Sequence, residues 1–275
     1  MANRFLDDSA RLQLRQIIPA DTYYKTRMIR AQLCAGSALP YENGFAVHQA
    51  NQHTPESWVA TIGDFDFTFG LEGQRIQPNE SPHVEIRPPS LNTKSITEKT
   101  ERQPATWLEF TNLLSRSFIA PTTGTHTRRP YASAGGLYTV QVFALRRTNT
   151  HWDRYHLLPN QGALERFSPI SHNVLSNHVT GNELIDLADI DFILGFGIIP
   201  ELTIAKYQLR GYKFALFEIG EMIQQSASIS ATLSIHTRAY GHSDELGAAA
   251  LWDLNADEVW IEHLQLFTKV NNATD

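Results

Sequence analysis

Residues 189–225 read DIDFILGFGIIPELTIAKYQLRGYKFALFEIGEMIQQ, and this stretch decides the fold class. Its first part is an apolar run broken by Gly195 and Gly197 and closed by Pro200, the pattern of a buried strand. Beyond Pro200, the residues Tyr212, Ala215, Leu216, Ile219, Met222 and Ile223 recur with helical period. That stripe predicts one long amphipathic helix lying on the sheet that holds the strand.

Working outward, TVQVFALRR (Thr139 to Arg147) alternates as a strand, and WDRYHLLPNQGALERF predicts two short strands around Pro159 to Gly162. EVWIEHLQLF, Glu258 to Phe267, supplies a last strand. ATWLEFTNLLSRSF predicts a helix with Trp107, Phe110, Leu114 and Phe118 on one side, and residues 168–187 are expected to be helical or irregular. Strands and helices alternate without short βαβ repeats, so the expected class is α+β, a mixed or antiparallel central sheet flanked by helices. Upstream, a helix is expected over Phe5 to Ile18 and a short strand within VATIGDFDFTFGLEG. Gln77 to Gln103 is polar, carries Pro78, Pro82, Pro88 and Pro89, and has the composition of a linker or surface loop. The chain is therefore divided into an N-terminal region 1–76 of unassigned role, a polar segment 77–104, and a main domain 105–275.

Composition narrows the function. Among 275 residues, 23 are Lys or Arg and 29 are Asp or Glu, a net charge of −6 that argues against a broad nucleic-acid surface. No apolar run approaches the ~20 residues of a membrane helix, and the N-terminus lacks a signal-peptide core. The expectation is a cytoplasmic protein off the membrane. Cys34 is the single cysteine, which excludes an internal disulfide and a cysteine-rich metal centre. The histidines lack metal-ligand spacing, and no phosphate-loop, G-x-G-x-x-G or G-x-S-x-G signature occurs, so no metal is expected.

Two segments carry chemistry. RRPYASAGGLY, 128–138, sets two cations, a hydroxyl and two glycines before a strand. Gly135 and Gly136 allow the backbone to approach a ligand, and Arg128 and Arg129 can neutralise an anion. An ordinary turn with solvated arginines has the same composition. AKYQLRGY, 205–212, places Lys206 and Arg210 four apart, on one face of a continuous helix. Like charge and burial there would make a neutral amine base more accessible. Gly211 costs roughly 1 kcal/mol in a helix, which points to a close packing contact or a ligand beside it. A solvated charged face with a tolerated glycine is the alternative.

Three tracts together, RRPYASAGGLYTVQVFALRR, AKYQLRGYKFALFEIGEMIQQ and RAYGHSDELGAAALWDLNADEVWIEHLQLF, resemble in order and spacing the streptolysin- and microcin-type flavin dehydrogenases of the nitroreductase superfamily. The resemblance spans about residues 105–268. It implies a nitroreductase-like FMN fold, a homodimer, and FMN bound without a covalent link. The implied reaction oxidises thiazoline or oxazoline rings in a ribosomally made precursor peptide to thiazoles or oxazoles, in bacteriocin and peptide-antibiotic biosynthesis. The implied partners are a cyclodehydratase and a peptide-clamp subunit of a synthetase complex. Carried over by motif, Arg128, Arg129, Ser133, Gly135, Gly136, Gln224, Tyr240 and Gly241 would contact FMN, and Lys206 with Tyr207 would form the catalytic pair. Either of the two could take the proton. The chain departs from the family pattern at Ala132, where a proline is usual, and at Gln225, where an asparagine is usual. For the FMN phosphate, the polar stretch offers only Lys94, Ser95 and Lys99. Two other functions share parts of this pattern: an NAD(P)H-dependent nitro or quinone reductase, and a non-catalytic scaffold subunit.

Overall fold

A computed structural model of the chain describes residues 104–120, 128–179, 186–240, 245–256 and 258–269, together with a short strand at 73–75. The helix expected over Phe5 to Ile18, the strand expected before Gly73, and the polar stretch with Lys94, Ser95 and Lys99 lie outside the described residues.

Among the described residues, seven strands form one sheet: β1 (Gly73–Arg75), β2 (Val140–Arg147), β3 (Trp152–Leu158), β4 (Ala163–Ile170), β5 (Phe192–Ile198), β6 (Ile235–Tyr240) and β7 (Trp260–Lys269). Their order is β1-β4-β3-β2-β5-β7-β6, and every neighbouring pair is antiparallel. The expected α+β class with a central antiparallel sheet is what forms. β1, from the N-terminal side of the polar stretch, pairs with β4 and so edges the main sheet. β4 runs on to Ile170, and the helix α2 (His172–His178) follows it directly. The last strand begins two residues later than its sequence pattern and runs to Lys269.

Period-two alternation sends side chains from the central strands into two separate cores. On one face, Val142, Ala144, Phe192, Leu194, Phe196 and Phe267 meet α1 (Trp107–Phe118) and the long helix α4 (Leu209–Thr232). Phe110, Leu113, Leu114 and Phe118 of α1 are fully buried there, and Phe192 stacks on Phe267 with ring centroids 4.7 Å apart. On the other face, Phe143, Leu145, Ile193, Leu264 and Leu266 meet α2, α3 (Pro200–Tyr207) and α5 (Glu245–Ala250). α1 starts with a capping box in which Thr106 and Glu109 satisfy each other's backbone N–H groups.

The single helix expected after Pro200 is two helices. Gln208 adopts φ 50° and ψ −137°, which ends α3 and lets α4 leave in a new direction. α3 therefore packs on one face of the sheet and α4 on the other. Gly211 makes the crossing close enough. A Cβ built there would lie 2.3 Å from the carbonyl oxygen of Thr203, so the close contact at Gly211 is the α3 backbone. The break also means that Lys206 and Arg210 sit on different helices and share no common face. The stripe along α4 is displaced too: Ala215, Ile219 and Met222 are buried, whereas Leu216 is 39% exposed. Gly211→Ala should lower stability by about 1–3 kcal/mol, because the obstructing atom is backbone that cannot rotate away. Thermal or denaturant unfolding of the variant checks this; unchanged stability would mean that α3 and α4 are not pressed together here.

Candidate functional site

The first motif folds into a turn at the end of the sheet where β2 begins and β5 ends, Val140 lying opposite Ile198. Three of its residues take the left-handed region: Gly135 at φ 62°, Gly136 at φ 67° and Tyr138 at φ 51°. The glycines adopt it freely, but for a tyrosine it costs roughly 1–2 kcal/mol. Several contacts hold Tyr138 there. Its backbone N–H donates to Ser133 Oγ at 2.8 Å, and its hydroxyl oxygen accepts from the Arg129 N–H at 3.0 Å. The Arg129 guanidinium lies 4.8 Å over its ring, and Tyr131 packs edge-on against it. Strained backbone held by this many contacts is characteristic of functional sites.

The second motif reaches the same turn from α3. Lys206 and Tyr207 occupy the last turn of that helix, just before the break at Gln208. A Cβ on Gly135 would fall 2.3 Å from Tyr207 Oη and 2.8 Å from Lys206 Nζ, so both polar tips lie on the bare backbone of that glycine. Lys206 Nζ also sits 5.0 Å from the Tyr207 ring centroid, and Phe214 of α4 meets that ring edge-on. An ammonium beside a phenol within reach of an open surface can hold or pass a proton. A Cβ on Gly136 meets nothing within 4 Å, and both glycines are exposed. The turn thus offers open space at Gly136, beside the lysine and tyrosine that rest on Gly135, suited to the edge of a flat ligand.

Behind the turn stands a residue that the motif analysis passed over. Glu218 of α4 is 3% exposed and accepts from Ser133 Oγ at 2.5 Å and from the Val140 N–H at 3.2 Å. Burial pushes its carboxyl up to about 7, against the opposing pull of these hydrogen bonds and of Arg129. A sequence signal existed: Glu218 stands three residues after Ala215 and four before Met222, inside the apolar stripe, where an acid needs partners.

The remaining predicted residues are placed as follows. Arg128 is exposed. Arg129 is buried, its guanidinium donating to Tyr131 Oη at 3.2 Å and Asn160 Oδ1 at 3.4 Å, so it serves the inside of the turn. The Ser133 hydroxyl is engaged by Glu218 and Tyr138. Gln224 is exposed on α4 and donates to Ser228 Oγ at 3.3 Å. Tyr240 ends the edge strand β6 with its side chain buried in the core that holds Leu137. Gly241 lies outside the described residues. The structure brings together Gly135, Lys206 and Tyr207, with Ser133 at the start of the same turn; Tyr207 packs against the core cluster that contains Tyr240, while Gln224 faces solvent on α4. Among the described residues, no cluster of His, Cys, Asp or Glu is placed to hold a metal ion, and no helix is long and apolar enough to cross a membrane.

Comparison with known proteins agrees with the three sequence motifs. No protein-family model matches the chain. It is 33% identical over 169 residues to the microcin B17-processing protein McbC of Escherichia coli, an alignment covering 58% of this chain and 61% of that protein. The chain thus matches about three-fifths of the length of this curated relative. Among solved structures, it superposes on a chain of the E. coli microcin synthetase McbBCD complex with truncated pro-MccB17 bound, with a TM-score of 0.61 and 22% identity over 95% of this chain and 97% of that one. A nitroreductase crystal structure from Ralstonia eutropha matches with a TM-score of 0.56 and 15% identity, covering 74% of this chain and 96% of the other. A third, from Anabaena variabilis, gives a TM-score of 0.53 and 16% identity over 81% of this chain and 45% of that one. The fold is nitroreductase-like, and the chain is a relative of a microcin-processing protein.

The two glycines of the turn make different demands. Gly135→Ala and Gly136→Ala should each cost about 1 kcal/mol from the positive φ alone, because the atoms crowding position 135 are the ends of side chains that can swing away. Only Gly135→Ala should displace Lys206 and Tyr207. The rate at which Lys206 reacts with an amine-acylating reagent, read by peptide mass spectrometry, should change in that variant and not in Gly136→Ala.

Proposed function

We propose that this protein is an FMN-dependent dehydrogenase that oxidises thiazoline and oxazoline rings of a ribosomally made precursor peptide to thiazoles and oxazoles, in bacteriocin biosynthesis. The observation that carries the reading is the meeting of Lys206 and Tyr207 with the bare backbone of Gly135, on a fold of the nitroreductase type. Kinship with a microcin B17-processing protein supports the substrate class.

Oxidising an azoline removes a proton from the ring carbon that was a residue's Cα and a hydride from the adjacent ring carbon. FMN would supply the hydride acceptor. The residues present fit such a group: the open space at Gly136, next to the Lys206–Tyr207 pair on Gly135, leaves room for a flat ring system, and Arg128 stands exposed beside the turn to meet an anionic part of it. Gln224, Tyr240 and Gly241 complete the proposed set. One of the pair Lys206 and Tyr207, beside the glycine turn, takes the proton, with the amine and the phenol close enough for the other to stabilise the resulting charge. Glu218, Ser133 and Arg129 hold the turn from beneath.

The proposed assembly pairs this chain with a second copy and with cyclodehydratase and peptide-clamp subunits. Azolines hydrolyse readily, so keeping ring closure and oxidation within one complex limits loss of the intermediate. The solved synthetase complex, one chain of which this chain resembles, carries a bound pro-peptide, which supports the synthetase partners and the peptide substrate. Phe217 of α4, 69% exposed, and its neighbour Leu216 offer apolar surface for such contacts.

The test is direct. The purified protein should be yellow, and an azoline-bearing peptide should lose two hydrogens per ring by mass spectrometry. Lys206→Met should reduce oxidation by about 10²-fold or more, the contribution of a positioned proton acceptor, while the flavin stays bound. A variant oxidising azolines near the wild-type rate would end the assignment of Lys206. Bleaching of the flavin by NAD(P)H without azoline turnover would favour the nitro or quinone reductase, and a colourless protein would favour the scaffold.

A further inference from the structure

Glu218 ties the glycine turn to α4 from below. Glu218 Oε1 accepts from the Val140 N–H at 3.2 Å, where β2 begins, and Oε2 accepts from Ser133 Oγ at 2.5 Å, where the turn begins. Ser133 Oγ in turn accepts the N–H of Tyr138 at 2.8 Å. One carboxyl group thus joins both ends of the segment Ser133 to Val140, and between those ends lies Gly135, on which Lys206 and Tyr207 rest. Glu218 itself is on α4, while Lys206 and Tyr207 are on α3, on the far side of the break at Gln208. An acid on one helix therefore sets the height of the surface that the pair on the other helix touches.

We infer that Glu218 is a positioning residue: its buried carboxyl, bound to Ser133 and Val140, fixes the glycine turn at the height that aligns Lys206 with Tyr207 over it. This rests on the proposed dehydrogenase reading for its catalytic consequence, but not for its structural one. The inference follows from geometry and from the cost of burial. An acid enclosed in an apolar layer is retained only if its oxygens are bonded, and these are bonded to the turn rather than to α4's own neighbours. Facing Glu218 are Arg129 and Tyr131 from the turn; Thr139, just before β2, and Val140, its first residue, carry no titratable group, and Glu221, a turn along α4, is exposed.

Protonation gives the device a measurable signature. Because the carboxyl is pushed up to about 7 from an ordinary value of 4.5, the folded state binds a proton more readily than the unfolded chain. The stability that this supplies is fully present below about pH 4.5 and is lost as the pH rises through about 7. Glu218→Gln, which cannot titrate, should lack that decline while keeping a side chain able to bond Ser133 and Val140.

The experiment compares full-length wild type, Glu218→Gln, Glu218→Ala and Ser133→Ala by amide hydrogen exchange, pH-dependent thermal unfolding, and azoline oxidation. In Glu218→Ala and Ser133→Ala, exchange across residues 133–140 should accelerate about tenfold or more, the effect of losing a buried hydrogen bond, while β3 and β4 keep their protection. In Glu218→Ala, kcat should fall about tenfold with KM changed less than about threefold, since alignment of the pair and not peptide binding is lost. Glu218→Gln should restore most of the exchange protection and of kcat, with a flat stability profile where wild type declines. Wild-type exchange at 133–140 in Glu218→Ala, or loss of protection spread evenly over the sheet, would overturn the inference. If Glu218→Ala does not fold, Ser133→Ala and Glu218→Gln decide it by the same readouts. If wild type oxidises no azoline, the proposed function fails while hydrogen exchange still decides the role of Glu218.

Discussion

Everything at the site depends on one steric constraint, the crossing of α3 and α4 at Gly211. Only a residue without a side chain lets the start of α4 press on the Thr203 carbonyl, and only the turned-out backbone of Gln208 lets the chain change direction there. Because of that crossing, α3 covers one face of the sheet and α4 the other. A continuous helix would have held Lys206, Tyr207 and Glu218 on one straight rod against one side of the sheet. The break instead brings the lysine and tyrosine to the glycine turn from one side and the glutamate to it from the other.

The turn between them is a strained element supported from several directions. Tyr138 in the left-handed region would not persist alone, yet Arg129, Tyr131 and Ser133 each hold a different part of it. These groups share interactions, so the segment should behave as a unit in which loss of one contact weakens the others. That helps to explain why the second arginine of the motif faces inward. Its charge partly offsets the buried Glu218 carboxyl, and its plane covers the tyrosine ring; the exposed Arg128 is the one left free to meet a ligand.

Much of the architecture was legible in the sequence because it rests on local pattern. The buried run Phe192 to Ile198, the hairpin around Pro159 to Gly162 and the amphipathic helix from Trp107 each formed within about three residues of expectation, since period and turn chemistry act over short range. The break at Gln208 was not legible. Glutamine is an ordinary helix former, and nothing nearby marks a positive φ; the conformation is imposed by packing between α3 and α4. Leu216 failed for a related reason: the inward face of α4 is set by what the sheet presents to it, and that face takes Glu218 in place of Leu216.

By itself, the sequence determined most of the secondary elements, the class of fold and the residue types available for chemistry, because hydrophobic period, glycine placement and side-chain functionality are written locally. Tertiary structure alone decided which of those residues meet. Gly135 lies 71 positions before Lys206 and 83 before Glu218 in the chain, and no spacing rule relates them. They come together because an antiparallel sheet sets the start of β2 beside the end of β5, and because two helices cross too closely for any side chain but a hydrogen at position 211.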